Sequence, residues 1–212
     1  MSGPRRSTAL LSIALLSACA LAVALGTRVI GINKAYAELK HRASEPHQGY
    51  AVPAFVARTL GGDTLTVGES GDPSVRQVLF VLTTTCPYCK ATLPVWAALA
   101  DSLQRGFRHV RVMALSLDSL GKTAAYAAEH RIRYPVATFP TDKLRRLYRA
   151  GSVPQTVVLN AMGEVLYAHV GKLTAGPALD SIYQAVARRI PAVSAAAGAL
   201  PAARGAVAGR RP

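Results

Sequence analysis

Residues 83–90, Thr-Thr-Thr-Cys-Pro-Tyr-Cys-Lys, follow directly on the apolar run Val78–Leu82, and this junction narrows the folds open to the chain. The stretch Val75–Leu82 does not alternate between apolar and polar residues in the way a half-exposed strand would. It reads instead as a central strand covered on both faces. Cys86 and Cys89 then stand three apart where that strand hands over to a helix. A cysteine capping a helix presents its sulfur to unpaired backbone N–H groups and to the positive end of the helix dipole, which suits a thiolate nucleophile. Cys89, one turn in, lies beneath it, within reach of a mixed disulfide. Pro87 fits the first helical position, where its missing N–H costs nothing. The spacing predicts a reversible dithiol/disulfide.

Composition removes several competing classes. Three cysteines in 212 residues do not make a disulfide scaffold, and the one close pair has redox spacing. A zinc site needs two more ligands beside that pair, and His41, His47, His109, His130 and His169 show no ligand-like clustering in sequence. The net charge of +14 suggests nucleic acid until it is divided by region. Residues 1–45 carry +4, residues 46–190 carry +7, and three arginines follow from Pro191 onward. Half of the excess therefore lies outside the central region. The densest cluster, Lys143, Arg145, Arg146 and Arg149, lacks the interleaved aromatics of a base-stacking platform and reads as a solvated helix face. No nucleic-acid partner is expected.

Arg5 and Arg6 precede a charge-free stretch, Thr8–Thr27, of 20 residues, enough to span a bilayer as a helix and longer than the usual core of a signal peptide. Leu16-Ser17-Ala18-Cys19 also resembles the lipobox of bacterial lipoproteins, which makes Cys19 a candidate lipidation site. Against this, the chain stays apolar from Ala20 to Gly26. An uncleaved anchor is the leading reading, with a lipoprotein signal or a cleaved leader as alternatives, and each delivers the remainder across a membrane. Arg28, Lys34, Lys40 and Arg42 outnumber Arg5 and Arg6, which on charge alone favours the opposite orientation. The extracytoplasmic assignment rests on the signal-like N-terminus and on the chemistry.

Lys34–Arg42 extends as a short helix, and Ser44–Gly49 is a polar linker with Pro46 as breaker. Phe55–Leu60 and Thr64–Val67 flank Gly61-Gly62-Asp63 as a hairpin. After Cys86, the residues Leu93, Trp96, Ala97, Ala100 and Leu103 fall at helical spacing, with Pro94 expected to interrupt and kink the helix. Val110–Leu117 is a second buried strand, Lys122–His130 a helix, Pro135–Phe139 a strand, and Thr141–Arg149 a helix capped by Thr141. Gly151–Pro154 breaks the pattern. Strands at Gln155–Leu159 and Val165–Val170, around Ala161-Met162-Gly163, precede a last helix at Ala178–Ile190. The Ala/Gly/Pro/Arg tail lacks a core-forming period. This order is α/β, with a central mixed sheet sandwiched by helices.

With these residues in view, the chain resembles thioredoxin-fold proteins of the membrane-anchored TlpA/ResA type over about residues 50–190. The resemblance is carried by Cys86-Pro87-Tyr88-Cys89-Lys90, by Pro94 five residues after the second cysteine, by Gly151-Ser152-Val153-Pro154 ahead of a strand, and by Asn160–Val165 as a final hairpin turn. Asp118–Tyr148 is similar to the family's inserted helix-strand-helix. It implies a thioredoxin-like fold with an N-terminal hairpin, and a chain divided into a cytoplasmic n-region (1–7), a signal anchor or transmembrane helix (8–32), a juxtamembrane linker (33–49), the thioredoxin-like domain (50–190) and a disordered tail (191–212). It also implies a cis Val153–Pro154 bond facing the dithiol, with Val153 and Pro154 binding an extended substrate, and Pro87 and Tyr88 tuning the potential.

The implied activity is that of an extracytoplasmic thiol–disulfide oxidoreductase, with Cys86 as nucleophile and Cys89 as resolving thiol. It would reduce protein disulfides, for example in cytochrome c maturation, and be recharged by a membrane electron donor. No cofactor beyond the Cys86–Cys89 disulfide and no metal is expected. Three departures matter. Phe80 occupies the position where many thioredoxins carry a buried acid, Thr92 the position of a ResA-type glutamate, and Thr85 the place of a tryptophan. The proton acceptor for Cys89 is thereby left to water or a threonine hydroxyl. Competing readings are a peroxiredoxin-type peroxidase, since Thr83 stands three before Cys86, a glutaredoxin-like enzyme sharing Cys-Pro-Tyr-Cys, and a non-catalytic binding module.

Overall fold

The computed structural model describes residues 4–188. In chain order the elements are α1 (Pro4–Ser44), β1 (Phe55–Arg58), β2 (Thr64–Val67), β3 (Arg76–Leu82), α2 (Pro87–Gly106), β4 (Val110–Ser116), α3 (Leu120–Glu129), β5 (Val136–Thr138), α4 (Asp142–Leu147), β6 (Gln155–Leu159), β7 (Val165–Val170) and α5 (Pro177–Ala187). The expected tail at 191–212 and the end of the last helix at Ile190 lie outside the described residues.

Five strands form one sheet in the order β5-β4-β3-β6-β7, with β3, β4 and β5 parallel and β6 and β7 antiparallel. All seven residues of β3 are buried, as a strand at the centre of a doubly covered sheet requires. Because side chains alternate, Val78, Phe80 and Leu82 join one core with α2, α3 and α5, while Leu79 and Val81 join a second core with β1, β2 and Tyr148. The hairpin β1–β2 forms a two-stranded sheet that meets β5 through a bridge from Thr59 to Ala137.

Two expectations need correction. Pro94 does not interrupt α2, which is continuous from Pro87 to Gly106. Buried side chains on both sides of the proline, Leu93, Trp96, Leu99, Ala100 and Leu103, pack one apolar face against the sheet and carry the helix through the missing N–H. At the N-terminus, the expected helical stretch Lys34–Arg42 is continuous with the apolar segment before it. Helix α1 runs unbroken to Ser44, and its segment Leu15–Lys40 is long and apolar enough to cross a membrane, with a mean hydropathy of 2.0 over its most apolar 18-residue window. At 1.5 Å per residue that segment is about 39 Å long against a hydrocarbon core of about 30 Å. Finally, Arg149 does not belong to a solvated face. Its guanidinium lies 3.9 Å over the Tyr50 ring and donates to Glu45 O at 3.3 Å, which ties the chain after α1 to the end of α4.

A buried polar side chain and a closely packed glycine fix the loops around the sheet. Gln77 accepts from Gly68 N at 2.9 Å and donates to Glu69 O at 3.1 Å, which holds the β2–β3 loop. Gly163 has φ +77 and sits so close to Val52 that an added Cβ would lie 2.6 Å from its carbonyl oxygen. Only glycine allows that approach.

Candidate active site at the start of α2

Cys86 is the N-cap of α2, in extended conformation with φ −80 and ψ 116, and its Sγ accepts the Cys89 backbone N–H at 3.3 Å. One of the orphan donors of the helix is thus aimed at sulfur, in the position where a developing negative charge would be met by it. Both cysteines are free thiols. Cys86 is half-buried and Cys89 fully buried, so only the first is open to a macromolecular substrate. Tyr88, between them, is 63% exposed and available to a partner surface.

Facing the cap is the loop before β6. The Val153–Pro154 bond is cis, as the resemblance implied, and Cys86 Sγ lies 3.8 Å from Val153 O. Residues 151–153 are at least partly exposed beside it, while Pro154 is buried. The sequence-named residues Cys86, Pro87, Tyr88, Cys89, Val153 and Pro154 therefore meet at one rim of the sheet. Cys19 does not join them, because it lies in the exposed segment of α1.

Beneath the rim, the position expected to hold an acid is aromatic. Phe80 stacks on Trp96 with centroids 4.9 Å apart and meets Tyr134 edge-on at 5.2 Å. Trp96 Nε1 donates to Thr156 Oγ1 at 2.9 Å, joining α2 to β6. Thr92, at the position of the ResA-type glutamate, donates its hydroxyl to Tyr88 O at 2.7 Å. Burial, above all, pushes the Cys89 thiol up to about 12; the Thr83 backbone pulls it down, and Cys86 and Asp118 add to the rise.

Asp118 was not singled out from sequence. Its Oδ2 accepts the Thr84 N–H at 2.6 Å, so it holds the segment leading into Cys86. The available signal was topological. Leu82 and Ser116 are register partners on parallel strands, so the residues following both emerge at the same sheet edge, where α/β proteins place their sites.

Fold and dithiol together define a thioredoxin-fold protein with its cysteine pair at the sheet edge. The AhpC/TSA family matches residues 48–168, more than half of the chain, and the protein belongs to that family. Among curated proteins it is similar to sporulation thiol-disulfide oxidoreductase A of Bacillus subtilis, 23% identical over 130 residues that cover 59% of this chain and 76% of that protein. Among solved structures it is similar to StoA from Bacillus subtilis, with a TM-score of 0.53 and 19% identity, covering 64% of this chain and 98% of that one. It is also similar to the thioredoxin domain of a thiol-disulfide oxidoreductase from Bacteroides vulgatus, with a TM-score of 0.54 and 12% identity over 66% and 97% of the two chains. These structural likenesses establish the fold.

Proposed function

We propose that this chain is a membrane-anchored thiol–disulfide oxidoreductase that reduces protein disulfides on the extracytoplasmic side. The observation that carries the reading is the half-buried Cys86 sulfur at the helix cap, with the Cys89 N–H at 3.3 Å and the Val153 carbonyl beside it. Cys86 attacks a substrate disulfide and forms a mixed disulfide; Cys89 attacks Cys86 and releases the reduced substrate. Val153 and Pro154 receive the extended substrate backbone, while Pro87 and Tyr88 tune the potential and the docking surface. The related proteins named as thiol–disulfide oxidoreductases support this chemistry.

Finer assignments belong to the same proposal. Helix α1, through Leu15–Lys40, is the anchor, residues 50–190 form the working domain, and Cys19 is the attachment point if the leader is processed as a lipoprotein. Apocytochrome c is the substrate class that the TlpA/ResA resemblance favours, with a membrane electron donor to restore the dithiol. The experiment is an equilibrium titration of the Cys86/Cys89 couple in the full chain against glutathione and dithiothreitol. A potential near or below about −250 mV supports a reductant, and one near about −120 mV makes the protein an oxidant and overturns the direction. Failure to form a Cys86–Cys89 disulfide overturns the two-cysteine mechanism, and rapid peroxide consumption would then favour the peroxidase reading.

A further inference from the structure

One buried polar group beneath the dithiol has no role in the chemistry above. Tyr126 on α3 is 7% exposed, and its hydroxyl is shut off from solvent without a hydrogen-bond partner among the described residues. Buried hydroxyls are seldom left unpaired in native proteins, and one that is calls for a reason.

Its place in the fold supplies one. Thr123 Oγ1 donates to Ser116 Oγ at 2.9 Å and pins α3 to the end of β4, the strand end in register with the exit of β3 toward the cysteines. Tyr126 lies three residues further on, on the same helix face. From the other side, Lys90 Nζ lies 4.0 Å from Glu129 Oε1, bringing the first turn of α2 against the last turn of α3. Tyr126 and Cys89 belong to the same buried cluster, with Phe80, Trp96 and Tyr134. Where many thioredoxins carry a buried acid this chain has Phe80, and the same buried cluster holds two phenols with unpaired hydroxyls, Tyr134 against Phe80 and Tyr126 on α3.

We propose that the Tyr126 hydroxyl donates a hydrogen bond to the Cys89 sulfur when that thiol ionises to resolve the mixed disulfide. This rests on the dithiol reading given above. Cys89 loses its proton to water, and its thiolate attacks Cys86 Sγ. The Cys86–Cys89 bond forms as the bond from Cys86 to the substrate sulfur breaks, and the substrate leaves with the electron pair and takes a proton from water. Two electrons pass from the dithiol to the substrate disulfide, and Tyr126 keeps its proton throughout.

The surrounding groups fit a donor role. Burial first, then the charges of Cys89, Cys86 and Glu129, push the Tyr126 phenol up to about 12, so near neutral pH it keeps its proton while Cys89 ionises transiently. The other groups near Cys89 and Tyr126 are Lys90 on α2, His130 at the end of α3, whose ring meets Tyr126 edge-on at 4.4 Å, Tyr134 before β5, and Asp118 after β4. Asp118 carries the same sign of charge as the thiolate and increases the need for a donor.

The test uses the full chain in detergent, with Cys19→Ala, reduced and mixed with dithiobis(nitrobenzoate), whose released thiol is coloured. The first release reports attack by Cys86 and the second reports resolution by Cys89. Tyr126→Phe is expected to slow the second release about tenfold near neutral pH and to move its pH midpoint upward, leaving the first unchanged. Tyr134→Phe removes another buried hydroxyl of the same cluster and is expected to change neither. An unchanged second release in Tyr126→Phe, or equal slowing in Tyr134→Phe, overturns the proposal. Absence of a first release would instead defeat the dithiol reading itself, and this inference with it.

Discussion

Asp118→Asn separates the two things this side chain does. The amide matches the carboxylate in size, and its Oδ1 can still accept the Thr84 N–H now held at 2.6 Å. What disappears is a negative charge that opposes ionisation of Cys89. A hydrogen bond to a charged group contributes about 1.5–3 kcal/mol and a neutral one about 0.5–1.5, so the loop before Cys86 loses about 1 kcal/mol of anchoring. For a chain of this size that lowers Tm by about 2–4 °C. Burial, the largest influence on Cys89, is untouched, so its thiol falls without reaching the ordinary range. Removing the charge lowers the Cys89 thiol and so increases the thiolate fraction at neutral pH. The assay is the rate of iodoacetamide alkylation of Cys89 in a Cys19→Ala, Cys86→Ser background, followed by mass spectrometry between neutral and alkaline pH. Faster alkylation together with a small loss of Tm is the expected outcome. Alkylation that is unchanged or slower in Asp118→Asn would refute the electrostatic argument, whatever happens to Tm.

Two further substitutions probe the frame around the site. Gly163→Ala forces a Cβ to within 2.6 Å of Val52 O at φ +77, and thermal denaturation should show a loss of more than about 2 kcal/mol with the dithiol reactivity of surviving protein intact. Trp96→Phe keeps an aromatic ring beside Phe80 but removes the donor to Thr156 Oγ1, and urea unfolding should show a loss of about 1–3 kcal/mol without a change in slope.

What could be read from the chain was whatever its neighbours in sequence decide. The uninterrupted apolar run at Val78–Leu82 signals a strand with two covered faces, and the structure divides its side chains between two cores in strict alternation. Cys86 and Cys89 were legible for the same reason, since a cap and the residue one turn in are set by a single helix start. Thr141 shows the same locality, accepting from Leu144 N at 3.2 Å as an N-cap should. Asp118 and Tyr126 were not legible because each reaches the dithiol from a different element, one through the parallel register of β3 and β4 and one through the packing of α3 on that edge. Their residue types are ordinary, and their positions in the fold are not visible in local pattern. Pro94 and Arg149 misled for a related reason. Intrinsic helix breaking and intrinsic solvation are local tendencies, overridden here by a buried helix face and by the Tyr50 ring.

The central claim is that the exposed thiol attacks and the buried one resolves. Its most direct test is to mix full-length Cys89→Ala and Cys86→Ala chains, each with Cys19→Ala, with a disulfide-bonded protein, quench with acid and weigh the products. Cys89→Ala should accumulate a stable mixed disulfide through Cys86, and Cys86→Ala should accumulate none. A covalent adduct that forms through Cys89, or the absence of an adduct in both variants, would contradict the account.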